Sequence, residues 1–145
     1  MNYTYNDGGR AAAGFSGTSR DCVARAVAIA SQRPYLEVYN RLADGNAIQR
    51  RTRGSVGGAR TASNGIETKR KWFADYMKEL GFKWVATMGI GTGCKVHLKG
   101  EELPKGRLVV NVSRHCVAVI DGVINDNHDC TRGGTRCVYG YWMKI

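Results

Sequence analysis

His115-Cys116-Val117-Ala118-Val119-Ile120-Asp121-Gly122-Val123-Ile124-Asn125-Asp126 is the stretch whose reading decides the fold. Asp121-Gly122 lies between two apolar runs, and an Asp-Gly pair there predicts a two-residue type I′ turn, because both central positions need positive φ and glycine takes it without steric cost. If Ile120 pairs with Val123, Val117 opposes Asp126 and His115 opposes His128. His115, Val117, Val119, Ile124, Asp126 and His128 then share one face of a hairpin. Diagonal neighbours on such a face lie about 7 to 8 Å apart at Cα, which brings the Asp126 carboxylate within reach of the His115 ring.

Upstream of the hairpin, Pro104-Lys105-Gly106 punctuates the chain and Arg107 to Val112 predicts another strand. Lys83 to Met88 and Val138 to Met143 read as further strands, and Val96 to Leu98 as a short extended segment. Before them the period changes to that of helices. Val23, Ala26, Val27 and Ala30 recur at helical spacing behind the capping candidates Thr18, Ser19 and Asp21. Pro34 opens a second helix carrying Tyr35, Val38, Tyr39 and Leu42, and Trp72, Phe73, Tyr76, Met77 and Leu80 mark one face of a third, stopped by Gly81. Helices first and strands second predict an α+β fold, with N-terminal helices packed on a C-terminal antiparallel sheet.

The 145 residues, 43% hydrophobic and 23% charged, fit a single domain spanning 1–145. No stretch approaches the roughly 18 to 20 apolar residues of a membrane span. Met1 to Asp7 is too polar for a signal-peptide core, so a cytoplasmic protein without membrane association is expected. The five cysteines, Cys22, Cys94, Cys116, Cys130 and Cys137, form an odd set without CxxC spacing and are expected to stay reduced. His115, Cys116, His128, Cys130 and Cys137 cluster in sequence, but their spacings match no standard zinc pair, so neither metal nor cofactor is expected.

Lys and Arg number 22 against 12 Asp and Glu, a formal charge of +10 that attracts polyanions. Arg50, Arg51, Arg53 and Arg60 fall in a Gly-rich stretch at 45–66 that holds no acid. It reads either as a solvated loop or as a contact for nucleic acid or an acidic protein partner. A catalytically silent basic binding module is therefore one reading of the whole chain.

The other reading is enzymatic. Cys22 stands at the start of the first helix, where unpaired N–H groups and the helix dipole favour thiolate over thiol and can receive an oxyanion. A nucleophile, a base and an orienting group are what amide cleavage needs. Cys22, His115 and Asp126 offer all three, and His128 on the same face is a reserve for contacting substrate or supporting the ring.

Gly17-Thr18-Ser19-Arg20-Asp21-Cys22-Val23-Ala24-Arg25-Ala26 resembles the nucleophile helix of papain-like cysteine peptidases, and Arg107 to Asp126 resembles their strand, catalytic histidine, hairpin and acid. The resemblance is strongest to the compact bacterial and phage type that is similar to the bacteriocin-processing, double-glycine leader peptidases. It implies a papain-like domain and hydrolysis of a peptide, isopeptide or other amide bond in a peptide or protein substrate, with Cys22, His115 and Asp126 as the triad. The family commonly carries a glutamine six residues before the nucleophile as oxyanion donor, where this chain has Ser16. Ser16, Thr18, Ser19 or backbone amides alone would have to replace it, and losing one such donor typically costs roughly 100- to 1000-fold in turnover.

Overall fold

The computed structural model describes residues 2–16, 20–48, 60–63, 65–89 and 91–145. Its elements are strand β1 (Asn2–Tyr5), helices α1 (Cys22–Ser31), α2 (Tyr35–Ile48) and α3 (Lys71–Glu79), and strands β2 (Phe82–Ala86), β3 (Arg107–Val112), β4 (His115–Ile120), β5 (Val123–Asp126) and β6 (Val138–Lys144). The strands form one mixed six-stranded sheet in the order β1-β5-β4-β3-β6-β2. The class is α+β. No described helix is long and apolar enough to cross a membrane.

The turn between β4 and β5 is the one the dipeptide predicts, with Asp121 at φ 48° and Gly122 at φ 80°. Ile120 pairs with Val123, Val119 with Ile124 and Ala118 with Asn125, the register counted from that turn. Each sheet face then buries its own set. Val109, Cys116, Ala118 and Trp142 pack with α1, α2 and α3 through Val27, Val38, Leu42, Phe73 and Met77. Leu108, Val110, Val117, Val119, Ile124 and Val138 pack on the other face under Leu98, Leu103 and Cys130. Each buried Val, Leu, Ile, Phe or Met among them contributes about 1.5 to 3 kcal/mol by leaving water. Helix α1 is buried from Val23 to Ala30, which is why its sequence is small and apolar on nearly every side.

Several expectations need correction. The sheet is not wholly antiparallel, because β1 runs parallel to β5, pairing Asn2 with Val123 and Tyr5 with Asp126. All four β1 residues are exposed, so no buried alternation announces the strand. The thiols are not all free, since Cys94 and Cys137 form a disulfide. The isolated bridge between His97 and Cys137 brings the two segments together. The last part of α2 occupies positions 45 to 48 of the stretch read as a basic loop. Arg50, Arg51 and Arg53 lie outside the described residues, as do Thr18 and Ser19. Arg60 is exposed but ion-paired with Asp44 at 2.8 Å, so its charge is already answered within the chain.

Gly140 shows how close packing shapes the sheet surface. A Cβ there would sit 2.4 Å from the Trp84 ring and 3.0 Å from the Val85 carbonyl oxygen. Only glycine lets Trp84 of β2 lie across β6, where it meets Trp142 with ring centroids 5.3 Å apart.

Candidate active site

Cys22 is the first residue of α1 and is half-buried. Asp21, at the N-cap position, makes no capping hydrogen bond with its side chain. Its carboxylate turns inward instead, where it pairs with Arg25, accepts from the Tyr35 hydroxyl at 2.5 Å and meets Arg10 Nε at 3.1 Å. The helix end thus leaves its amides uncapped by Asp21, next to the sulfur.

His115 opens β4 and Asp126 closes β5, so both stand at one rim of the sheet. His115 Nε2 and Asp126 Oδ2 are 2.6 Å apart, the tautomer-fixing hydrogen bond that the hairpin register makes available. With Nε2 turned to the carboxylate, Nδ1 is left for other partners. Cys130 Sγ lies within 4.8 Å of a ring nitrogen and an Asp126 oxygen, and the Cys22 thiol shares a cleft with the ring and interacts with it electrostatically. Strand parity puts His115 on the face away from α1, with Val117 and Val119. Its place as the first residue of the strand lets the ring reach over the rim to the helix.

Electrostatics follow from this crowding. Burial alone lowers the His115 pKa, but the hydrogen bond with Asp126 and the nearby Cys130 and Cys22 thiols outweigh it and the value is pushed up to about 11. Burial raises the Asp126 pKa, while the His115 partner, the Asn127 N–H and the Arg25 charge hold it below its ordinary value. Asn127 N–H donates to Asp126 Oδ1 at 2.7 Å, and Arg25 Nη2 approaches the same oxygen at 3.5 Å. Arg25 is 6% exposed and bridges two buried carboxylates, Asp21 and Asp126, whose further partners are Arg10 and His115. Such a network is stable only while every member is present.

Cys22 and His115 line a cleft of about 1250 Å³ whose surface also includes Trp84, Tyr139 and Trp142. His128 borders it too, its ring centroid 5.2 Å from that of His115 and its Nδ1 2.7 Å from Asn127 Oδ1. Ser16 is exposed, its carbonyl accepts from Arg10 Nη2 at 3.1 Å, and it does not border the cleft. Nothing in its placement supports the oxyanion role expected of it. A second hollow, about 810 Å³, lies beside the Asp121 turn and is lined by Asn6, Ile29 and Arg107. No cysteine, serine or threonine is among the described residues that line it.

His115, Asp126 and Cys130 place one nitrogen, one oxygen and one sulfur within 4.8 Å of each other, a donor set that zinc accepts. The His115 nitrogen and Asp126 oxygen nearest each other are already hydrogen-bonded at 2.6 Å. Of the other thiols considered as ligands, Cys137 is in the disulfide and Cys116 is buried, with burial pushing its pKa up.

Sequence reasoning missed Asp21, Arg25 and Tyr35 as supports of the site, and Cys130 as a neighbour of the ring. The i, i+4 spacing of Asp21 and Arg25 was a usable signal. Cys130 had none, because its approach depends on how the chain after β5 folds back.

No family model, no curated protein and no solved structure matches this chain.

Proposed function

We propose that the chain is a cysteine hydrolase of papain-like type, cleaving a peptide, isopeptide or other amide bond in a peptide or protein substrate. The observation that carries this reading is one imidazole, fixed through Nε2 by a buried carboxylate, beside an accessible thiol at a helix start and at the mouth of a cleft. Sulfur attacks as the thiolate of an imidazolium–thiolate pair and forms the bond to the carbonyl carbon. The carbonyl oxygen takes the negative charge, and the amides at the start of α1 receive it. His115 then passes its proton to the leaving nitrogen as the C–N bond breaks, giving a thioester and a free amine. The now neutral ring takes a proton from water, hydroxide adds to the thioester carbon, and thiolate departs beside a reprotonated His115. Asp126 keeps the ring oriented and stabilises its charge throughout.

Alkylation with iodoacetamide near neutral pH, read by peptide mass mapping under non-reducing conditions, tests the premise. Cys22 should react at least about tenfold faster than the buried Cys116 and Cys130, and replacing His115 with alanine should slow it. Equal, slow labelling of the three free thiols would refute an activated sulfur. Salt-sensitive binding of polyanions would then leave the catalytically silent basic module as the better account.

A further inference from the structure

The charges around the cleft are one-sided. Arg20, Lys69, Lys78 and Arg114 line it, all four exposed. Among the described residues no Asp or Glu lines it, and none of the four cations has a carboxylate within ion-pair distance. Neighbouring cations are answered differently: Arg70 pairs with Glu67 at 2.6 Å and Lys71 with Asp75 at 2.7 Å, just beyond the cleft. The four arise from separate places. Arg20 precedes the nucleophile by two residues, Lys69 lies two residues before α3, Lys78 is in the last turn of α3, and Arg114 immediately precedes His115. Arg114 holds a positive φ of 53°, a conformation costing a non-glycine residue roughly 1 kcal/mol, where a glycine would be easier and uncharged.

We propose that this cleft selects an acidic peptide, with carboxylates on both sides of the bond presented to Cys22. The assignment rests on the hydrolase reading for its chemistry, but its charge argument concerns binding alone. Like charges held together without counter-charges repel one another, and a ligand that brings carboxylates relieves that repulsion while gaining its own attraction. At physiological ionic strength the Debye length is about 8 Å, so cations lining one cleft still act in concert on a chain lying within it. A nucleic acid would satisfy the same charges, and exposed Trp84 and Tyr139 would stack on bases. The thiol–imidazole pair at the centre, however, acts on an acyl carbon, which a peptide presents at every residue and a nucleic-acid backbone does not.

Binding to full-length Cys22→Ala protein, followed by fluorescence anisotropy, tests the proposal independently of turnover. The probes are a labelled glutamate–alanine decapeptide, its glutamine–alanine and lysine–alanine counterparts, and a short oligothymidylate of the same net charge. At low salt the acidic peptide should bind about tenfold more tightly than the glutamine peptide, since exposed ion pairs are individually weak but four act together. The preference should shrink as salt rises. Lys69→Glu with Lys78→Glu should remove most of it, whereas Lys105→Gln, outside the cleft, should leave it intact. Unchanged far-ultraviolet circular dichroism confirms that the double variant folds, and the salt titration of the Cys22→Ala protein stands without it. Charge-blind binding, insensitivity to the double substitution, or tighter binding of the oligothymidylate would each overturn the acidic-peptide assignment. Iodoacetamide labelling of Cys22 in the otherwise native chain separately reports whether the hydrolase reading survives.

Discussion

Asp126→Asn keeps the shape of the side chain beside His115 and removes its charge. A charge-assisted hydrogen bond contributes about 1.5 to 3 kcal/mol, and at 1.36 kcal/mol per pKa unit the ring should lose about one to two units. His115 should therefore fall from about 11 to about 9 to 10, still raised by the two thiols. Folding lifts His115 above its unfolded value of about 6.5, so the stability it contributes is fully present below pH 6.5 and is lost as pH climbs through its folded value, about 11. Asp126 runs the other way. Its folded pKa is depressed, so its contribution is present above the unfolded value of about 3.9 and is lost as pH falls through the lower folded one. The native protein should thus exceed the variant by about 1.5 to 3 kcal/mol between roughly pH 4 and pH 9, with the gap closing on either side. Urea denaturation across that pH range measures the gap, and nitrogen-edited NMR of the histidine ring measures the titration. An identical His115 titration in both proteins, or a gap that stays constant from acid to alkaline pH, would refute the coupling on which the catalytic assignment depends.

Replacing Arg25 with Met leaves Asp21 and Asp126 buried without the cation between them, and should cost about 3 to 5 kcal/mol in denaturant unfolding. The double variant with Asp21→Asn should recover part of that loss. Reducing the Cys94–Cys137 disulfide, which closes a sequence separation of 43 residues, should lower stability by about 4 kcal/mol on the loop-entropy account. A melting temperature unaffected by a phosphine reductant would contradict it. Gly140→Ala should destabilise the protein by about 1 to 3 kcal/mol by forcing Trp84 off β6, with a change in tryptophan emission as its signature.

Local chemistry made much of the framework legible. Asp121-Gly122 specifies its turn because the dipeptide takes up positive φ within itself, and the register of β4 on β5 follows by counting. The pairing of His115 with Asp126 is a consequence of that count. The spacing of Val23, Ala26, Val27 and Ala30 likewise writes α1 into the sequence, with Cys22 at its start. These signals reach across a few residues, where bond geometry and side-chain period dominate.

Tertiary packing decided the rest. Exposed β1 adds to the edge of the sheet through backbone hydrogen bonds, which any sequence can supply, so its side chains carry no trace of the pairing. Asp21 looks like a helix cap, but Arg25, Tyr35 and Arg10 converge on it and draw its carboxylate into the interior. Cys94 finds Cys137, Cys130 finds the His115 ring, and four cations without ion pairs collect around one cleft only when segments far apart in the chain are brought together. Such meetings depend on how the two sheet faces are covered, a property of the whole packed chain that no local pattern encodes.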